Sequence, residues 1–169
     1  PNAANPHATI SDRVLQNGDL LIIDWGAVYN DYISDLTRTF AIGPVEEELA
    51  RIVEIVHQAN SAGRLASQPG VTAGSVDKAT RNIIQEAGYG EFFIHRTGHG
   101  IGMEVHEPPY IFSENDLLLE PGMVYTIEPG IYLPGKAGVR IEDNVAITEQ
   151  GCEVLSQFPR ELITLPQKP

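Results

Sequence analysis

Four carboxylates and one imidazole in this 169-residue chain are spaced so that they could share positive charge. Asp24 and Asp35 fall in the stretches 19–28 and 32–41, which read as the two arms of a hairpin. With Tyr29-Asn30 as the turn, Val28 pairs with Asp31, and the same register sets Asp24 across from Asp35. Further on, a three-residue Pro134-Gly135-Lys136 loop sets Glu128 across from Glu142. Like charges directly opposite each other destabilise a sheet. Apolar neighbours such as Leu20-Leu21-Ile22-Ile23 and Ile141 give these strands a buried face, where an unpaired carboxylate is costly. Two such pairs therefore call for a cation. His99 lies between them in sequence, with Gly98, Gly100 and Gly102 removing side-chain bulk and permitting close backbone approach and unusual dihedrals. Four carboxylates and an imidazole suit two divalent ions. The oxygen donors favour Mn²⁺, and the imidazole admits Co²⁺ or Zn²⁺.

The elements that must position these groups follow from periodicity and punctuation. Residues 1–18 read as loop and turn. After the first hairpin, Gly43-Pro44 opens a helix to about Ala66, with Leu49, Ile52, Val53, Val56, Ala59 and Gly63 at helical spacing. Pro44 suits the first helical position, and Glu46, Glu47 and Glu48 suit the positive end of the dipole, so that acidic triplet is a helix start and not a metal site. A second helix spans about 73–87 and ends at Gly88. Strands follow near 92–97, 103–106, 123–128, 131–133, 138–148 and 153–156. Two helices between two sets of hairpins indicate an α+β domain, with the helices packed on one face of a curved antiparallel sheet.

Composition narrows the function. The net charge of −12 disfavours a nucleic-acid or anionic-membrane surface, because both need clustered Lys and Arg. No stretch approaches the roughly 20 apolar residues that span a membrane. The single Cys152 excludes an intrachain disulfide. His57, on the polar side of its helix, reads as a surface residue. His95 and His106, in the string HRTGHGIGMEVHEPP (95–109), read as groups beside the metal site or facing substrate, where an imidazole can donate to a developing oxyanion.

That string, together with DWGAVYNDYISDLTRTF (24–40), TIEPGIY (126–132) and VRIEDN (139–144), resembles the metal-dependent Xaa-Pro peptidases, aminopeptidase P and prolidase. The resemblance runs from Asn5 to about Leu155. It implies the pita-bread fold shared with creatinase and methionine aminopeptidases, with residues 1–169 forming part of a catalytic domain whose first half is incomplete. It also implies a weakly active isolated chain, and a dimer, in the cytoplasm, for the full-length protein. The implied reaction is hydrolysis of the bond preceding proline by a two-metal site, in peptide substrates or Xaa-Pro dipeptides. In that scheme Asp35 and Glu142 bridge both ions, Asp24 completes one, and His99 with Glu128 completes the other. Glu128 also takes part in proton transfer from the attacking water. His7, His95 and His106 line the substrate site and assist the transition state. Arg140, two residues before Glu142 and so on the same strand face, lies beside the ligand carboxylates and contributes to substrate binding. A methionine aminopeptidase and a non-catalytic peptide-binding module are the competing readings. The Arg140-Ile141-Glu142-Asp143 string and the five intact ligand positions argue against them.

Overall fold

The computed structural model describes residues 2–9 and 11–166. Strands β1 (Leu20–Tyr29) and β2 (Tyr32–Ile42) form the first hairpin. Helices α1 (Glu47–Ala66) and α2 (Ala73–Glu86) follow. The remainder comprises β3 (Gly98–Gly100), β4 (Glu107–Ile111), β5 (Val124–Ile127), β6 (Gly130–Leu133), β7 (Ala137–Arg140), β8 (Asp143–Thr148), β9 (Gly151–Val154) and β10 (Ile163–Leu165). The fold is α+β. The strands form three sheets, ordered β1-β2-β10, β4-β3-β5-β8-β9 and β6-β7, and not one continuous sheet. One pairing is parallel: β10 runs alongside β2. An isolated bridge, Thr37 to Glu142, joins the first sheet to the chain between β7 and β8.

The first hairpin closes on a different turn from the one expected. Tyr29 pairs with Tyr32, leaving Asn30-Asp31 as a two-residue loop with φ of 49° and 68°. Both central residues are left-handed, which is the turn that matches strand twist. The register moves by two residues, so Asp24 faces Thr37 and Asp35 faces Gly26. A shift of two keeps every side chain on its own face, and the two aspartates become diagonal neighbours instead of direct partners.

The second hairpin keeps the expected register. Leu133 pairs with Ala137 around Pro134-Gly135-Lys136, and Gly130 with Arg140. Ile127 opposite Asp143 continues the same count in the next sheet, so Glu128 and Glu142 face each other at the gap between two ladders. The expected strand 138–148 breaks there because its partners change. Ile141 N donates to Pro129 O at 3.3 Å, and Glu142 N donates to Thr37 O at 3.0 Å.

Other boundaries differ, among them the strand expected near 153–156, which lies at Gly151–Val154. Helix α1 starts at Glu47 and not at Pro44, since Gly43 turns left-handed (φ 65°), Val45 packs into the core and Glu46 stays extended at ψ 148°. Residues 92–97 form no strand, because their polar groups are taken by α2. Arg81 donates to Phe93 O and His95 O, and Thr97 Oγ1 donates to Asp77. The strand expected at 103–106 lies at Glu107–Ile111 instead, with Glu107 Oε2 accepting from Glu104 N to form a turn. Helix α2 begins as read, capped by Thr72 Oγ1 accepting from Ser75 N at 3.2 Å, and Gly88 ends it with φ 86°.

Two buried clusters hold the site from behind. One packs Ile52, Val56 and Ala59 of α1 against Ile131, Val139 and Ile141, while the other packs Val76 of α2 against Ile111, Tyr125, Ile127 and Val145. The second hairpin is thus braced by helices, whereas much of β1 is exposed.

Candidate metal centre

Strand pleat and the Thr37–Glu142 bridge converge the five expected donors on one cavity of about 710 Å³. Asp24, Asp35, His99, Glu128 and Glu142 all line it. Donor atoms of Asp35, His99 and Glu142 lie within 4.8 Å of one another. His99 Nε2 is 3.4 Å from Glu128 Oε1 and 3.9 Å from Asp35 Oδ2. His7, His95, His106 and Arg140 line the same cavity, with Trp25, Arg96 and Val105. His57 does not, and pairs with Glu54 on α1 at 3.9 Å.

The orientation of His99 is set locally. Its Nδ1 is 3.1 Å from Gly100 O, an acceptor only, so Nδ1 carries the proton and Nε2 presents its lone pair to the carboxylates. Burial pushes its pKa down to about 4, so it is neutral near pH 7. The flanking glycines act by close approach alone. A Cβ on Gly98 would strike Thr126 O and one on Gly100 would strike Pro108 O, while Gly98, Gly100 and Gly102 all keep negative φ.

The carboxylates are held in an environment that disfavours their charge. Burial, the nearby Asp35 and Asp24 outweigh Arg140 to push Glu128 up to about 8. Asp35 rises to about 6 through burial and Asp24. Glu142, 2% exposed, lies well above the ordinary range through burial, Glu128 and Asp35. A cation bound among them would favour their charged forms and so oppose each of these shifts. A set of carboxylate oxygens around one unprotonated imidazole nitrogen fits divalent cations that accept O and N donors.

A second layer of contacts fixes the donors. Thr37 Oγ1 donates to Glu142 Oε2 at 2.7 Å, and Thr126 Oγ1 lies 3.4 Å from Glu128 Oε1. Arg140, buried and not a surface residue, reaches Asp24 Oδ2 at 2.6 Å, Thr37 Oγ1 at 3.2 Å and Tyr132 Oη at 3.0 Å. Burial opposes its charge, but Tyr132, Asp24 and Glu142 win, and its pKa is raised. Tyr132 accepts from Arg140 and sits 2.9 Å from His95 Nε2. Because His95 Nδ1 faces Arg96 O at 2.8 Å, Nδ1 is the donor there and Tyr132 Oη donates to Nε2. Burial lowers the pKa of His95 to about 4 and keeps this tautomer neutral. The rings of His99 and His106 meet edge to face at 4.2 Å.

Sequence reasoning missed Thr37, Thr126 and Tyr132. Thr37 and Thr126 each lie two residues from a donor carboxylate, which is a strand-face signal. Tyr132 had none, since it depends on Arg140 arriving from the paired strand.

Known proteins resemble this chain in sequence and in fold. The model of metallopeptidase family M24 matches residues 1–149. The chain is 49% identical over 161 residues to the Xaa-Pro dipeptidase of Pyrococcus furiosus, covering 95% of this chain and 46% of that protein. It is 49% identical over 167 residues to a probable dipeptidase PepE of Mycobacterium tuberculosis, covering 98% and 44%. Among solved structures, the prolidase of Thermococcus sibiricus superposes with a TM-score of 0.95 at 51% identity, covering 97% of this chain and 45% of that one. An X-Pro aminopeptidase from Thermotoga maritima gives 0.93 at 45%, covering 96% and 46%. The chain thus spans about half the length of the relatives it matches, and it shares their pita-bread architecture. By sequence and by fold, it belongs to metallopeptidase family M24.

Proposed function

We propose that this chain carries the hydrolytic centre of an Xaa-Pro peptidase, cleaving the bond before proline in short peptides or Xaa-Pro dipeptides. The observation that supports it most is the convergence of Asp24, Asp35, His99, Glu128 and Glu142 on one cavity, with three of the carboxylates held above their ordinary pKa. These five residues would hold two divalent cations, Asp35 and Glu142 serving both, and the oxygen-rich set favours Mn²⁺ over Co²⁺ or Zn²⁺. When bound, such a pair supplies Lewis acidity that lowers the pKa of water and polarises a scissile carbonyl.

The protein's own groups do the rest. With cations bound, Glu128 would take part in proton transfer from the attacking water to the leaving nitrogen. His106, ring against His99, and His7 face the cavity where the carbonyl oxygen of the substrate develops charge. His95 is fixed by Tyr132 Oη and so presents a rigid wall. Arg140 holds Asp24 in place and keeps one side of the carboxylate cluster compensated. The bond before proline has no amide hydrogen, so recognition rests on shape and carbonyl contacts, which an apolar edge of Trp25 and Val105 can supply.

The test is hydrolysis by the full-length protein with Mn²⁺. Release of the residue preceding proline from Xaa-Pro peptides, lost on chelation and restored by Mn²⁺, is the expected result. Release of Met without need for proline, or no cleavage at all with less than one ion bound per chain, would overturn it.

A further inference from the structure

Glu142 is followed in the chain by a second buried acid that the proposed reaction does not use. Asp143 is fully buried, and its Oδ1 accepts from Arg38 Nη2 at 2.8 Å. Arg38 is itself 2% exposed and saturates its fork. Nη1 donates to Glu142 O at 2.6 Å and to Thr37 O at 2.9 Å, Nη2 also donates to Phe158 O at 2.7 Å, and Nε donates to Pro159 O at 2.8 Å. One guanidinium nitrogen therefore staples the carbonyls of the two residues joined by the Thr37–Glu142 bridge, which links the first sheet to the site.

The other acceptors belong to the segment 155–165, which lies beyond the residues the family model matches. This segment is clasped at several points. Arg160 Nε donates to Asp143 Oδ2 at 2.6 Å, the Phe158 ring meets Trp25 edge to face at 5.9 Å, and β10 adds to the edge of β2. Trp25 lines the metal cavity. A buried ion pair of this kind is weak evidence for stability as such, because apolar residues often close a core at lower cost. Its value is geometric, since a planar five-donor fork fixes several acceptors at once.

We propose that Arg38 is a positioning residue for Glu142, and that residues 155–165, clasped to it through Phe158, Pro159 and Arg160, form a strap whose docking sets how tightly the centre holds divalent cations. The proposal rests on reading the five-donor cluster as a cation site. Losing the fork frees Glu142 O and Thr37 O, and the bridge that aims the Glu142 carboxylate loosens. Partners that orient a ligand residue typically govern 10- to 100-fold of metal affinity.

The experiment is calorimetric titration of Mn²⁺ into the metal-stripped full-length protein, for wild type, Arg38→Lys, Arg160→Ala and Arg64→Ala. Arg38→Lys keeps the charge but loses the fork, and is expected to bind Mn²⁺ about 10- to 100-fold more weakly, with Arg160→Ala in the lower part of that range. Activity lost by Arg38→Lys at low Mn²⁺ should return at high Mn²⁺, a rescue that a merely misfolded protein would not show. Arg64, 3.8 Å from Asp143 but bonded to Asn60 and not to the strap, should leave affinity unchanged on removal. Folded Arg38→Lys with wild-type affinity would overturn the proposal. So would a loss in Arg64→Ala as large as in Arg160→Ala. If Arg38→Lys does not fold, Arg160→Ala decides by the same criterion. A wild-type protein that binds no Mn²⁺ would instead overturn the cation-site reading itself.

Discussion

The two hairpins that supply the carboxylates are built in opposite ways. On the first, Asp24 and Asp35 have side chains 49% and 17% exposed, Asp24 on a strand most of which faces outward. On the second, Glu142 is 2% exposed and sits where two ladders and the Thr37 bridge meet, with helices behind it. Asp24 is compensated by Arg140 at 2.6 Å, whereas Glu142 receives a single neutral hydroxyl, that of Thr37. At Asp24 the first hairpin offers water and one arginine to the charge. The second carries charge that the fold alone disfavours, so there the fold and the bound cation depend on each other.

The largest effect should come from removing that buried charge. Glu142→Gln keeps the shape and abolishes the shared carboxylate. Losing Lewis-acid stabilisation worth several kcal/mol, it should lose roughly 10³-fold or more in kcat/KM. The same change should raise the melting temperature of the metal-free protein at pH 8, because it deletes a charge that burial opposes. Asp24→Asn should lose less activity and leave that melting temperature unmoved or lower, since it breaks the Arg140 pair. Matching losses and matching stability shifts in the two variants would erase the contrast between the hairpins.

Titration sharpens the contrast next. In the metal-free fold Glu128 has a pKa of about 8 against 4.5 ordinarily, and Asp35 about 6 against 3.8. Groups raised in this way bind more protons folded than unfolded, so stability falls as pH climbs through that interval. His95 and His99, lowered to about 4 from 6.5, act in the opposite sense, adding stability as pH rises to 6.5. Above 6.5 the histidines no longer contribute and Glu128 still does, with the upward-shifted Glu142 acting in the same sense. One proton's difference is about 1.4 kcal/mol per pH unit, so the metal-free melting temperature should drop by about 3–6 °C per unit between pH 6.5 and 8. Saturating Mn²⁺ should flatten that slope, and a flat profile without metal would show that the buried acids are not strained.

Much of this arrangement was legible in the sequence, and the exceptions have physical reasons. The Pro134-Gly135-Lys136 loop permits one register, so the Glu128–Glu142 pairing was readable. At the first hairpin, Tyr29-Asn30 and Asn30-Asp31 are both plausible turns, and only the left-handed conformations of Asn30 and Asp31 decide between them. The face on which each aspartate lies survived because the error was an even number of residues. The 92–97 segment has strand-like composition, yet Arg81 and Asp77, some fifteen residues upstream, claim its polar groups. Strand β10 is three residues long and pairs in parallel with β2, a long-range contact with no local pattern.

Thr37 is one point where the two hairpins touch, and its hydroxyl donates to Glu142 and accepts from Arg140 Nε. Thr37→Val keeps the shape, leaves a buried guanidinium and a buried carboxylate each short of a partner, and should cost about 1–3 kcal/mol of stability. It should weaken Mn²⁺ binding about tenfold, the lower bound for a residue that orients a ligand. Urea unfolding and metal titration read the two effects separately. A stability loss without an affinity loss would mean that Thr37 joins the sheets but does not aim Glu142.

The smallest effect belongs to the turn that fixed the first register. Asp31 is left-handed at φ 68°, a conformation that costs a residue with a Cβ about 1–2 kcal/mol and costs glycine little. Asn-Gly is the preferred pair for this two-residue turn. Glycine also gives the unfolded chain more freedom to lose, which returns part of the gain. Asp31→Gly should therefore stabilise the protein by well under 1 kcal/mol, with register and Mn²⁺ affinity unchanged. The corresponding loop of the second hairpin already has glycine at its left-handed position, Gly135 with φ 71°. Gly135→Ala should destabilise where Asp31→Gly stabilises, about 1 kcal/mol in the opposite direction. The pair of melting curves thus tests whether backbone strain is confined to the exposed hairpin, away from the buried carboxylates whose cost is electrostatic.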